Sequence, residues 1–170
     1  SRERLELLEN ERKELFKNMV EVCKVMTDIR KRKAEAIERD IEINLHELEM
    51  EKARFKIRID QKNQLGIDGW DDVEFIFTAN EGEEIMPLAK IGSGGELSRV
   101  MLALKVVFGN ADTIGTFVFD EIDTGISGRT AQKVAEKMHK VAKTKQILCI
   151  THLPQIAAMA DSHYMIEKVS

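Results

Sequence analysis

Gly92-Ser93-Gly94-Gly95-Glu96-Leu97-Ser98-Arg99-Val100, followed along the chain by Phe117-Val118-Phe119-Asp120-Glu121-Ile122-Asp123, is the stretch that decides the fold. In its first half, small residues with open backbone N–H groups stand before Leu97, Val100, Met101, Leu104 and Phe108, a spacing that predicts a helix over 96–108. Such a helix points its positive end at those N–H groups, which suits an anion such as the terminal phosphate of a nucleotide, with the Ser93 hydroxyl as a further donor. Paired glycines before a helix serve ordinary turns equally well. In the second half, residues 116–120 read as a short buried strand ending in two carboxylates. At the C-terminal end of a parallel strand, both would reach the crevice where such sheets bind ligands. Asp120 suits Mg²⁺, which prefers oxygen ligands and keeps part of its water. Glu121 suits a general base that polarises an attacking water. A solvated acidic turn is the alternative, and Asp123 and Gly125 fit either view.

Working outward, residues 146–151 form another apolar run, and His152 leaves it where it could hydrogen-bond a γ-phosphate or the attacking water. A lone histidine also serves plain structural ends, as His46, His139 and His163 are expected to do. Residues 128–143 read as an amphipathic helix, 154–160 as a short helix and 163–167 as a last strand. Strands alternating with helices predict an α/β unit with a largely parallel sheet. Ahead of it, Phe55, Ile57 and Ile59 alternate with basic residues as a half-buried strand. A second strand is expected over 73–79, and a loop over 80–89.

Residues 2–50 contain no Gly or Pro and are rich in Glu, Lys, Arg, Leu and Met, a strong helix composition. Leu8, Leu15, Val22, Ile29, Ala36 and Ile43 recur every seven residues. The other seam position, Leu5, Arg12, Met19, Met26, Lys33 and Asp40, is mixed, so the heptad is imperfect. Ile37, Ile41, Leu45 and Leu48 then form a stripe suited to docking on a globular body. The expected division is a coiled-coil arm over 1–50 and a globular lobe over 51–170. The arm's partner would be another part of the parent protein or a second copy. A first residue other than Met suggests a fragment or a processed chain.

Composition narrows the class further. Net charge is −4, with the acidic excess after residue 60, so charge alone does not mark a nucleic-acid binder. No apolar run is long enough to span a membrane, and the charged start is unlike a signal peptide. Cys23 and Cys149 stand alone, which argues against a disulfide framework or a zinc site. The expectation is a cytosolic protein with two reduced thiols.

Each motif is ordinary alone, but their order is specific. GSGGELSRVMLALK (92–105), FVFDEIDTGISGR (117–129) and THLPQIAAMAD (151–161) closely resemble the RecN family of bacterial DNA repair proteins, which are SMC-like ABC-type ATPases. The resemblance implies the C-terminal lobe of an ABC ATPase head behind a long coiled-coil helix. It assigns Ser93, Gly94, Gly95 and Glu96 to the signature motif, Asp120 and Glu121 to Walker B with Mg²⁺ at Asp120, Asp123 to the D-loop facing nucleotide, and His152 to the switch histidine. Gly92 departs from the broader ABC pattern, which more often has Leu there. No G-x-x-x-x-G-K-[ST] loop occurs in the chain. The family places that loop in an N-terminal lobe, so the chain alone is expected neither to hold ATP tightly nor to hydrolyse it. The implied partners are that lobe, a second head in a homodimer across which Ser93–Glu96 acts, and DNA at broken ends. The implied place is the bacterial cytoplasm, at the nucleoid. DNA contacts at Arg30-Lys31-Arg32-Lys33, or at Lys133, Lys137 and Lys140, compete with the reading of simply solvated faces. An ABC transporter subunit and an inert coiled-coil scaffold are the alternatives; the long arm argues against the first and the retained Asp120, Glu121 and His152 against the second.

Overall fold

The computed structural model describes residues 2–109, 111 and 113–167. Its first element, α1 (Arg2–Glu47), runs unbroken for 46 residues, about 69 Å at the standard rise. It stops through a left-handed cap. Glu49 adopts φ 58°, the Met50 N–H donates to the Leu45 carbonyl, and the Glu49 N–H donates to that of His46. These are the paired bonds by which a helix end satisfies its last carbonyls, and buried Leu45 and Met50 supply the apolar contact that accompanies them.

The chain forms two compact units, residues 1–36 with 57–74 and residues 37–56 with 75–170. In the first, the helix packs against the hairpin of β1 (Arg54–Gly66) and β2 (Gly69–Thr78). Ile67 and Asp68 make its two-residue turn, and Gly69 takes φ +89°, a conformation that favours glycine. The packing face of the helix is not the heptad seam. It carries buried Cys23 and Ala34, with Thr27 and Arg30 between them. The Thr27 hydroxyl donates to Asp71 Oδ1 at 2.6 Å and accepts the Trp70 indole N–H at 2.9 Å. Arg30 donates to Asp71 Oδ2 at 2.6 Å and to the Asp68 carbonyl at 2.9 Å. The seam residues Leu8, Leu15, Val22 and Ile29 are left 44–59% exposed.

In the second unit three residues of the expected stripe are buried, Ile41, Leu45 and Leu48 at 1% exposure or less, while Ile37 is half-buried. The same unit holds a row of rings, Phe55, Phe75 and Phe108, with centroid spacings of 5.5 and 6.3 Å. The segment expected as a loop contains a short β3 (Met86–Pro87), paired antiparallel to Ile76 and Phe77, and a 3-10 turn over Leu88–Lys90. Beyond it come α2 (Gly94–Phe108), β4 (Thr116–Phe119), α3 (Gly128–Ala142), β5 (Gln146–Cys149) and α4 (Pro154–Ala157). β4 and β5 are parallel, with Phe117 beside Ile147 and Val118 beside Leu148. Among the described residues parallel pairing is confined to these two; β1, β2 and β3 form a separate sheet.

Two expectations fail here. Residues 163–167 form no strand, and Tyr164, Met165 and Ile166 are exposed. Alternation of residue types makes a strand only where a neighbour completes the backbone ladder. The proposed lysine stripe on α3 is also broken. Lys137 is 8% exposed and donates to Asn44 Oδ1 at 2.6 Å and to the Glu47 carboxylate, so it fastens α3 to the end of α1 instead of facing a phosphate. Lys133 pairs with Glu136.

Candidate functional site

The two parallel strands end together. After Cys149 the ladder runs one step further, the Ile150 N–H donating to the Phe119 carbonyl at 3.0 Å. Asp120-Glu121 and Thr151-His152 therefore leave the sheet at one edge. The N-terminus of α2 lies across the same loop. Ser98 Oγ donates to the Asp120 carbonyl at 2.7 Å, and Arg99 donates to the Thr124 carbonyl at 3.0 Å. Gly95 is buried there: a Cβ on it would stand 3.1 Å from Thr124 Cβ and 3.2 Å from the carbonyl oxygens of Glu121 and Thr124. Only glycine allows this approach without a shift.

The start of α2 is capped by Ser93, whose Oγ accepts the Glu96 N–H at 3.4 Å. Glu121 sits at φ 58°, a left-handed conformation that costs a non-glycine residue about 1 kcal/mol. It is sustained by the Asp120 carboxylate, which accepts the Glu121 N–H at 2.9 Å, and by the Thr124 N–H, which donates to the Glu121 carbonyl at 3.0 Å. The Glu121 carboxylate lies against Gly94, where any Cβ would overlap Oε2. A carboxylate at a helix N-terminus is favoured by the helix dipole. Signature-like turn and Walker-B-like carboxylates thus touch within one chain.

Asp123 is 3% exposed. Its Oδ2 accepts the Thr151 hydroxyl at 2.5 Å and the His152 backbone N–H at 2.9 Å, and lies 3.1 Å from His152 Nδ1. Burial pushes the Asp123 pKa up, but the hydrogen bonds from Thr151 and His152 outweigh it and hold the carboxyl below its ordinary value. The His152 side chain itself is 73% exposed. Beside it, burial together with Asp123 and Asp120 pushes the Cys149 thiol up to about 11.

The geometry therefore gathers Ser93, Gly94, Gly95, Glu96, Asp120, Glu121 and His152 around one sheet edge, with Asp123 beneath. Sequence reasoning missed Ser98, Arg99, Thr124 and Thr151, which hold these parts together. Arg99 carried a signal: it shares a helix face with buried Leu102 and Ala103, where a charge needs a partner. Burial works against its charge, and Glu96 partly offsets this. No group of three or more His, Cys, Asp or Glu side chains suited to a metal occurs among the described residues. Asp120 alone, exposed and already accepting one N–H, fits a cation held mainly by phosphate and water.

Known proteins resemble the chain along most of its length. The chain is 47% identical to the DNA repair protein RecN of Halalkalibacterium halodurans over 147 residues, 84% of the chain and 26% of that protein. It is 46% identical to RecN of Treponema pallidum over 97% of the chain, and 42% identical to RecN of Bacillus subtilis over 96%. The sequence is similar to RecN proteins over most of its own length. It matches their C-terminal portion and spans 26–31% of the length of these three relatives. No protein-family model matches the chain. The fold is that of SMC heads. An SMC head with an extended coiled coil from Pyrococcus furiosus, solved bound to the C-terminal domain of ScpA, superposes with TM-score 0.60 at 22% identity over 92% of this chain and 38% of that one. One with a coiled coil and joint from Pyrococcus yayanosii gives 0.61 at 20% identity, over 92% and 29%.

Proposed function

We propose that this chain supplies the signature, Walker-B and switch-histidine part of an ATP-hydrolysing head in a RecN-like protein that tethers broken DNA ends. One observation carries the reading: the start of α2, Asp120-Glu121 and Thr151-His152 meet at a single sheet edge, the place where parallel sheets bind ligands. In this reading residues 1–50 are the arm and residues 51–170 the lobe. Asp120 would hold Mg²⁺, and Glu121 would take the proton of the attacking water. His152 contacts the γ-phosphate. Ser93, Gly94, Gly95 and Glu96 close on ATP held by the partner head, presenting N–H groups and a hydroxyl. Mg²⁺ would neutralise phosphate charge.

Two surfaces support the need for further chain. Val118, Leu148 and Ile150 are half or more exposed on one face of β4–β5, although parallel sheets are covered on both faces. An N-terminal lobe bearing the phosphate-binding loop suits that face. The seam of α1 likewise suits a second coiled-coil helix. No helix among the described residues is long and apolar enough to cross a membrane; the long arm is what argues against a transporter's nucleotide-binding subunit. A cytoplasmic place at the nucleoid follows from the repair role.

The test is reconstitution. The chain alone should show no measurable Mg-ATP hydrolysis, and adding the N-terminal lobe should restore it. Glu121→Gln in the restored head should retain nucleotide and stall turnover. Micromolar Mg-ATP affinity in the chain alone, or near wild-type turnover in Glu121→Gln, would falsify the assignment.

A further inference from the structure

We propose that Asp123 is a positioning residue: its buried carboxylate sets the backbone and the ring of His152, so that Nδ1 faces the protein and Nε2 is the nitrogen offered to the open sheet edge. The proposal rests on the reading of His152 as the phosphate-facing histidine, and gives Asp123 a different task from contact with nucleotide.

Three contacts converge on one oxygen. Asp123 Oδ2 takes the Thr151 hydroxyl at 2.5 Å, the His152 backbone N–H at 2.9 Å, and stands 3.1 Å from His152 Nδ1. At 3% exposure the carboxylate has little surface left with which to meet a ligand. The histidine has the opposite character, with its ring 73% exposed and its main chain pinned. An exposed ring on a free strand end would sample several rotamers, and freezing it costs free energy at each binding event. A carboxylate beside Nδ1 lowers that cost in advance. It also selects the proton position, because a negative oxygen at hydrogen-bond range favours N–H at Nδ1 and leaves Nε2 bare in the neutral ring. Thr151 extends the same device. While donating to Asp123, its oxygen accepts the Leu153 N–H at 3.1 Å, so the turn on both sides of His152 is fixed.

The placement in the chain adds a consequence. Asp123 follows Glu121 by two residues, and Thr124 N–H closes that loop on the Glu121 carbonyl. One side chain therefore ties the loop bearing the proposed base to the strand end bearing the proposed phosphate contact. Outer carboxylates that orient metal-bound histidines are worth about tenfold to a hundredfold in affinity or activity, and a loss of that order is the expectation for Asp123.

The experiment is a long-range ¹H–¹⁵N correlation of imidazole nitrogens in the uniformly labelled chain, with His152 assigned by its loss in His152→Gln. In the neutral ring, the wild type should show Nδ1 protonated and Nε2 bare. Asp123→Asn preserves shape and one accepting oxygen for Thr151 and the His152 N–H, but removes the charge beside Nδ1, so the Nε2-protonated form should rise. A wild-type ring protonated on Nε2, or an unchanged tautomer in folded Asp123→Asn, overturns the proposal. With the N-terminal lobe supplied, Asp123→Asn should lower kcat about tenfold or more while leaving KM for ATP within about twofold. If the tautomer result holds but neither Asp123→Asn nor His152→Gln slows turnover, the positioning stands and the function given to His152 falls instead.

Discussion

Asp71→Ala tests the bond between arm helix and hairpin in the first unit. The Asp71 side chain is 2% exposed and that of Arg30 31%. Removing the carboxylate deletes two charge-assisted hydrogen bonds, from Arg30 and Thr27, each 2.6 Å long. Breaking a fully buried ion pair costs about 3–5 kcal/mol, because the surviving charge is stranded. Arg30 is not fully stranded: it keeps the Asp68 carbonyl and reaches water. Thr27 can still accept the Trp70 N–H. The expected cost is therefore about 2–3 kcal/mol, between a charged hydrogen bond and a buried pair. Expressed as local opening, that is roughly a 30- to 150-fold increase in amide exchange across residues 57–74. Trp70 is the only tryptophan, so its emission reports the same event and should shift to the red. Exchange altered by less than about threefold, with Trp70 emission unmoved, would show that the hairpin is held by apolar packing alone.

The same group predicts the direction of an acid response. Burial raises the Asp71 pKa, yet Thr27 and Arg30 together bring it below the ordinary 3.8. A carboxyl depressed in the folded state stabilises it at neutral pH, and that contribution is lost as pH falls below 3.8 through the folded value. Protection of the hairpin amides, after correction for the intrinsic exchange rate at each pH, should fall in that window in the wild type, and in Asp71→Ala it should not.

Gly95→Ala should destabilise the second unit by about 1–2 kcal/mol, because the new methyl meets two carbonyl oxygens and Thr124 at 3.1–3.2 Å. Gly92→Ala, with nothing within 4 Å, should stay within about 0.5 kcal/mol of wild type in the same denaturant titration, and equal losses at both sites would contradict the packing argument. Cys149, with its thiol near 11, should react with iodoacetamide at pH 8 about tenfold to a hundredfold more slowly than an ordinary thiol. Mass spectrometry of the alkylated chain would read this, and a rate equal to free cysteine would contradict the burial of that sulfur.

How much of this was legible in the sequence depends on how local each cause is. The unbroken α1, the buried stripe of Ile41, Leu45 and Leu48, and the extents of α2, β4, α3 and β5 follow from residues within a turn or two of one another. Motif order then brought the carboxylates and His152 to one edge, because strands joined by a helix in a parallel sheet end on the same side. The arm's packing face was hidden for a physical reason. Thr27 and Arg30 interrupt its apolar spacing, and their partner Asp71 lies 44 and 41 residues away. The eye goes instead to the cleaner heptad of Leu8, Leu15, Val22 and Ile29, which remains exposed.

Charged residues show the same limit from the other side. Lys137 reads as one member of a solvated stripe, and only the return of α1 past α3, more than 90 residues away in sequence for Asn44, makes it a buried donor. Asp123 reads as part of an acidic turn, and only the parallel register that carries Thr151 beside it, 28 residues on, makes it a buried acceptor. In both, the sequence contains the charge but not the burial, and burial decides what a charge does. A lysine or aspartate near a motif therefore becomes interpretable once the elements that cover it are known. For Asp123 that changes its reading from a surface group facing ligand to an internal one facing His152, and the tautomer of that ring is the quantity on which the two readings differ.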